Sequence, residues 1–358
     1  MGQYFHLVAP HYRERLSWSG KLGEILFDGS AADLVPLFAR PIIPTKYEAK
    51  NSSSAGPPKK STSHQKQLIP QKRRHQSSNP PGMATSRLVQ LPNEIHNAII
   101  DLLDIESAFL LGLSCWHFWV LVRPVIARHF ASYLGPWAGT PVISVGDESD
   151  VDGKYPDGLL SPEDLEELAE GLDVEESEDG MPEEHAQKPV NLYDLADARY
   201  TSIIAVTSSR GFPLDLFGLA LDLKYKHPSP ADILRMANPN RSSFYPCSEE
   251  WVLRNLTTHE FVRPSAIALD EKYIHGPFIE GLGYGEVIFS KICWSVPGES
   301  LHQGAWAGHA LDIVPATYLD DKTPWKDVSD DVAREIADIW RSEYGENWRN
   351  DLVAKWGN

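Results

Sequence analysis

The segment WVLRNLTTHEFVR, residues 251–263, interleaves Arg254, His259, Glu260 and Arg263 with apolar positions. An imidazole beside a carboxylate is the pairing that general acid–base chemistry uses, and with His275 further along these would be the converging titratable groups of an active site. The apolar interleaving favours a hydrogen-bonded structural network, and no catalytic residue is expected here. Glu148, Asp150, Asp152 and Gly153 occupy the first, third, fifth and sixth places of a calcium loop, but the twelfth place, which requires a bidentate Glu, is Leu159. Gly281, Gly283 and Gly285 form GLGYG, which lacks the spacing of a dinucleotide fingerprint and is expected to be a turn before a strand. His302 and His309 are too far apart to share one helix face as a metal pair, so neither a metal nor a cofactor is expected.

Cys115, Cys247 and Cys293 are odd in number and widely spaced, which points to reduced, mostly buried thiols rather than a disulfide framework or a zinc site. The net charge of −17 is concentrated: residues 147–184 hold seventeen Asp or Glu and one Lys. The folded remainder is also negative and basic residues cluster only in the linker, which disfavours nucleic-acid binding by the folded part. No apolar run reaches the ~18 residues of a membrane span, and the expected compartment is soluble and intracellular, cytoplasmic or nuclear.

The elements that would position these residues form an α+β chain. Residues 1–45 read as a small N-terminal segment packing on the rest, with strand-like GQYFHLVAP and apolar-periodic stretches at Leu22–Phe27 and Leu34–Phe38. Residues 46–86 turn to Ser, Pro, Gln, Lys and Arg, a composition that cannot offset its ordering entropy by burial and predicts a disordered basic linker. Within it Lys59, Lys60, Lys72, Arg73 and Arg74 have the spacing of a bipartite nuclear-import signal, or serve as a solvated tether. Residues 135–358 read as a mixed domain interrupted by an acidic loop at 147–189. Its strands are expected at 140–145, 201–207, 265–269 and 286–294, and its helices at 162–171, 191–199, 214–222, 230–236, 248–254 and 329–344. The last of these has Ser329 as its cap and Gly345 as its stop. Within this domain Trp137-Ala138-Gly139 is echoed by Trp306-Ala307-Gly308, with a Val closing each stretch at Val145 and Val314, the trace of a duplicated loop–strand unit or a coincidence.

Between linker and mixed domain, residues 87–134 predict three helices. Pro92 suits a first helical position, and Ile95, Ile99, Leu102 and Leu103 recur as one apolar stripe, which predicts one buried face. Over Ser107–Val122 the apolar residues Phe109, Leu110, Leu111, Leu113, Trp116, Phe118 and Trp119 cover nearly the whole circumference. So short a unit buries only part of that surface itself, so a flanking domain or a partner must cover the rest.

The order Leu91-Pro92, Glu94-Ile95, Ile99, Leu103, Phe109, Leu111, Leu113, Cys115 and Phe118 is similar to the F-box pattern, with Ala108 where many F-boxes have Leu and Trp116-His117 where they have a basic pair. The resemblance implies a segment that lies against a Skp-type adaptor and through it joins a cullin and a ubiquitin-transfer enzyme, while the rest of the chain selects an unknown protein substrate. Leu91, Pro92, Ile95, Ile99, Leu110 and Leu113 are then the adaptor-facing residues. The segments MGQYF, KLGEILF, LRNLTTHEFVR and GYGEVIFSKICWS also resemble a family of fungal proteins, which implies lineage and no activity. The rival is a non-catalytic interaction protein whose helical segment is internal core.

Overall fold

The computed structural model describes residues 3–44, 87–149, 155–172, 189–203, 212, 215–223, 230–295, 301–320 and 322–356. The proposed import signal therefore lies outside the described residues, as do the calcium-loop positions Asp150, Asp152 and Gly153. The chain is mixed helix and strand and divides into two compact units: Met1–Ile42, Phe130–Pro213 and Asn238–Asn358 form one, and Ile43–His129 with Leu214–Ala237 form the other.

The first unit holds the sheets. Its strands are β1 (Tyr4–Ala9), β2 (Glu14–Lys21), β3 (Ile143–Gly146), β4 (Thr201–Ile203), β5 (Trp251–Asn255), β6 (Glu260–Val262), β7 (Ile274–His275), β8 (Phe278–Ile279), β9 (Cys293–Trp294), β10 (Leu311–Pro315) and β11 (Lys326–Asp327). One sheet runs β4-β2-β1-β3-β9, a second β11-β6-β5-β10, and β7 pairs with β8.

These two sheets are built alike, rung for rung. In the hairpins, Ala9 faces Glu14 and Leu7 faces Leu16, as Asn255 faces Glu260 and Leu253 faces Val262. Phe5, His6, Leu7 and Val8 lie opposite Gly146, Val145, Ser144 and Ile143, and Trp251, Val252, Leu253 and Arg254 lie opposite Pro315, Val314, Ile313 and Asp312. The outer strands repeat the match in parallel, Glu14 with Thr201 and Glu260 with Lys326. Each hairpin connection ends on a left-handed residue, Arg13 at φ 51° and His259 at φ 54°, the two non-glycine residues with positive φ among those described.

The WAG echo is the junction of the two copies. Ala138 N–H donates to Gly135 and Ala307 N–H to Gly304; Thr140 N–H donates to Trp137 and His309 N–H to Trp306. The turns then bond each other reciprocally: Gly139 N–H to Leu311 O at 2.8 Å, Gly308 N–H to Val142 O at 2.8 Å, with Pro141 bridging Ala310 between them. Each indole donates to the glutamate that opens its own copy's second hairpin strand, Trp137 Nε1 to Glu14 at 2.7 Å and Trp306 Nε1 to Glu260 at 3.1 Å. A charge-assisted bond of this kind contributes about 1.5–3 kcal/mol. Each copy also completes the other's sheet, since Ala39 runs parallel to Ile313 while Cys293 of β9 runs parallel to Ser144. The duplicated unit suggested by three letters and a Val thus extends over both sheets.

Several expectations are corrected. The 286–294 stretch is not a strand: Tyr284–Ile292 is a helix buried on every side, so its sequence shows no polar face to betray the 3.6-residue period, and only Cys293–Trp294 is extended. The 265–269 strand is a short helix, Pro264–Ile267, opened by Pro264 at its first turn. The 248–254 helix is strand β5, where the run WVLRN finds a sheet partner on both sides. Ser329 is the first helical residue rather than the cap, its hydroxyl donating to Asp327 and accepting from the Arg263 N–H. Gly345 does stop that helix, at φ 78°. Helices Pro162–Leu172 and Leu192–Arg199 form as expected; Leu168, Leu192, Leu195 and Ala196 bury against Val8, Ile143 and Val145.

The second unit is helical: Asn93–Asp101, Ile105–Ser114 and most of Trp116–Ala131, with Asp215–Leu223 and Pro230–Ala237 added from further along the chain. The single helix expected over Ser107–Val122 is broken at Cys115, which is extended at φ −162°.

Gly139 (φ 89°) and Gly308 (φ 77°) both need the left-handed region, and a Cβ would lie 2.5 Å from Arg40 Nη2 at the first and 2.7 Å from Pro156 Cβ at the second. Gly139→Ala and Gly308→Ala are each expected to lower unfolding free energy by ~1 kcal/mol or more, measured by urea titration; a neutral result at either would separate the two turns.

Candidate functional site

In the helical unit the buried face is the reverse of the one read from the sequence. Helix Asn93–Asp101 buries His96 and Ile100, and its apolar stripe stands in solvent: Ile95 is 47% exposed, Leu102 88% and Leu103 37%. Leu91 at 39%, Leu110 at 46% and Trp116 at 64% are exposed as well, Pro92 is exposed, and Ile99 and Leu113 are half-buried.

The inversion has a local cause. His96 Nε2 lies 2.7 Å from the Leu88 carbonyl and its Nδ1 3.1 Å from His117 Nε2, while Phe118 packs edge-on against the ring at 5.1 Å. A carbonyl accepts only, so His96 donates through Nε2 and accepts from His117 through Nδ1. With both nitrogens bonded the imidazole can be buried, and the helix is held by that face. Asp104 then caps the next helix by accepting from Ser107 N–H at 2.9 Å. Gly112 admits the following helix closely, since a Cβ there would sit 3.2 Å from Trp119 and 3.3 Å from Val122. Trp119 in turn donates to Asp232 at 3.0 Å and packs on Phe109.

In the sheet unit Arg254, Asn255 and Glu260 of the segment 251–263 each have hydrogen-bond partners. Glu260 Oε2 accepts from Trp306 Nε1 and from Thr258 Oγ1 at 2.8 Å, and Lys326 lies 3.6 Å from Oε1. Asn255 Oδ1 accepts the N–H groups of Thr257 and Thr258, which leaves its amide nitrogen to donate to His309 Nδ1 at 2.8 Å. His309 therefore carries its proton on Nε2, and burial holds its pKa below the usual histidine value against the pull of Glu260. His275 pairs with Glu280 at 3.4 Å on the separate β7–β8 hairpin. Arg254 lies on the other side of its strand from Asn255. It grips Asp312 with two nitrogens at 2.9 Å, and Arg40 Nε grips the same carboxylate at 2.7 Å.

GLGYG leads into a helix, against expectation, but that helix start is already filled. Gly283 N–H donates to the Glu286 carboxylate at 2.8 Å, and a Cβ at Gly285 would lie 1.9 Å from the Ala31 carbonyl, so the glycine serves close packing. Among the described residues no group of three or more His, Cys, Asp and Glu is arranged to hold a metal ion, and no helix is long and apolar enough to cross a membrane. All three cysteines are free; Cys293 is buried and Cys115 half-buried, but Cys247 is exposed, contrary to expectation. No family model, curated protein or solved structure matches the chain.

Two buried groups give the sheet unit opposed pH dependences. His6, stacked on Tyr193 at 3.9 Å and facing Arg15, is lowered to about 4, mainly by burial and then by the Arg15 charge. The unfolded chain binds that proton first, so stability is lost as pH falls from about 6.5 towards 4. Burial raises Glu286 to about 7 against its capping hydrogen bonds, so its share of stability is lost as pH rises from about 4.5 to 7. Glu286→Gln should therefore steepen the loss of stability on acidification between pH 6.5 and 4.5, and His6→Gln should flatten or reverse it, read from denaturation midpoints across that range. Parallel profiles in the two variants would show that neither group governs it.

Proposed function

We propose that the helical unit is an F-box-like docking module, and that the chain is a recruiting subunit that joins a Skp-type adaptor and through it a cullin. What supports the reading is the exposed apolar surface of Leu91, Ile95, Leu102, Leu110 and Trp116 on a unit whose core is already supplied by Ile100, Ala108, Phe109, Phe118 and Trp119. An apolar side chain of this size gains about 1.5–3 kcal/mol on full burial, which a partner covering these positions would supply. The rival, in which residues 87–134 serve only as internal core, asks for those side chains to be covered by the chain itself. Leu91, Pro92, Ile95 and Leu110 are the exposed adaptor-facing residues, with Ile99 and Leu113 at the margin. The sheet unit would select the substrate, with no chemistry of its own required.

Purified full-length chain is expected to bind the host's Skp-type adaptor, and Ile95→Asp and Leu110→Asp to weaken that binding by roughly tenfold or more, because each buries an unpaired carboxylate in an apolar interface. Both positions are exposed, so circular dichroism should show both variants folded. An intact chain that does not bind the adaptor at micromolar concentration would sink the proposal.

A further inference from the structure

The second copy of the sheet carries charge where the first carries hydrocarbon. Val8 opposite Ile143 and Arg254 opposite Asp312 are the same rung of the two ladders. Trp294 and Arg40 correspond as well, since each follows the residue that bridges into the other copy's sheet, Cys293 and Ala39. One backbone thus accepts either Val, Ile and Trp or Arg, Asp and Arg. Replacing a buried ionic cluster by packed apolar residues is commonly neutral or stabilising, so the fold alone does not call for the charges.

Donors also exceed acceptors there. Asp312 is fully buried and takes three N–H groups; Arg254 Nη1 donates to the Tyr318 carbonyl at 2.9 Å and Arg40 Nη2 to the Ala138 carbonyl at 3.0 Å. Two guanidiniums against one carboxylate leave a positive charge and N–H groups beyond those acceptors. The Trp325 ring lies under Arg254 at 4.9 Å, and its Nε1 is buried with no acceptor. An unsatisfied buried donor carries a cost that an acceptor brought by a ligand would remove. The Arg40 side chain is 44% exposed, Tyr318 is exposed, and the exposed His259 ring stands edge-on to Trp325 at 5.6 Å.

We propose that Arg254, Arg40 and Trp325 form a binding site for an acidic group, a carboxylate or a phosphate, carried by a partner peptide. The guanidiniums supply the charge, the Trp325 N–H supplies a directed donor, and the Tyr318 and His259 rings form the rim on which the peptide rests. All of these residues belong to the sheet unit, so the site stands independently of the adaptor reading.

The test titrates full-length protein with three labelled peptides: glutamate-rich, phosphoserine-containing and its unphosphorylated counterpart. Arg254→Val with Asp312→Ile installs the first copy's own residues, and Trp325→Phe keeps the ring but removes the N–H. The expected result is saturable binding of an acidic peptide and not of the neutral one. Affinity should fall roughly tenfold or more in the double variant with no drop in melting temperature, and several-fold in Trp325→Phe. Preference between the two acidic peptides identifies carboxylate or phosphate as the ligand. Absence of saturable binding of either acidic peptide overturns the proposal, as does unchanged affinity in the double variant. Should the double variant not fold, an unchanged affinity in Trp325→Phe overturns it.

Discussion

The sheet unit depends on one reciprocal contact, the pair of backbone hydrogen bonds by which Gly139 and Gly308 each reach across to the strand that follows the other's turn. Both bonds require a left-handed backbone, which is why each turn ends on glycine. From this contact the rest follows. The strands after the turns are set side by side at Pro141 and Ala310, each continues into its own hairpin, and each indole is anchored on the glutamate of that hairpin. Because Ala39 borders β10 and β9 borders β3, neither sheet is finished without the other copy. Two half-sheets with open edges would present unpaired N–H and C=O groups to solvent, so the exchange both closes the edges and couples the copies into one cooperative body.

Once two copies share a backbone, their differences become informative, because each serves as the other's control. On the face that holds Phe5 and Leu7 in one copy and Trp251 and Leu253 in the other, these four positions are apolar and buried in both. The opposite face diverges. In the first copy it is covered by helices Pro162–Leu172 and Leu192–Arg199, inserted between β3 and β4, and it is hydrocarbon apart from His6 and Arg15. In the second copy β10 and β11 are joined by residues 316–325 alone, and the rung beneath holds Arg254 and Asp312. The long insertion covers the first copy's face with helices, and the short one leaves the edge of the second copy's face, at Arg40 and Tyr318, open to solvent. Two guanidiniums satisfy the buried Asp312.

The sequence disclosed elements wherever one face differed from the other. The helices at Pro162–Leu172, Leu192–Arg199, Asp215–Leu223 and Pro230–Ala237, and the long helix from Ser329, show that contrast, while β1 is legible in its short apolar run. It failed where burial is uniform, as in Tyr284–Ile292, or where a strand is short and flanked by acidic residues that mimic a helix start, as at Trp251. The repeat was visible only as WAG because its other conserved features are conformational. Arg13-Glu14 and His259-Glu260 share a left-handed residue before a carboxylate, and nothing in Arg and His as residue types announces that. The Arg254–Asp312–Arg40 cluster was half legible: Arg254 stood out, but its partners lie 58 and 214 positions away or further and are joined only by the sheet.

Helix Asn93–Asp101 turns the usual reading of amphipathicity around. Its moment correctly located an apolar stripe, but a moment does not say which face is inward; that is decided by what each face can bond. His96 finds a carbonyl and a second imidazole and goes in, and Ile95, Leu102 and Leu103 go out. Turning this helix over to bury the isoleucine and leucines would expose the ring and leave the Leu88 carbonyl and His117 without it, a loss of two hydrogen bonds at about 0.5–1.5 kcal/mol each. It would also bring Ile100, now buried, into water and take Phe118 off the imidazole, so aliphatic burial gained on one face, at about 1.5–3 kcal/mol for a fully buried side chain, is offset by burial lost on the other. The orientation is therefore held by the bonded imidazole and the buried Ile100 together, and Ile95, Leu102 and Leu103 are left outward.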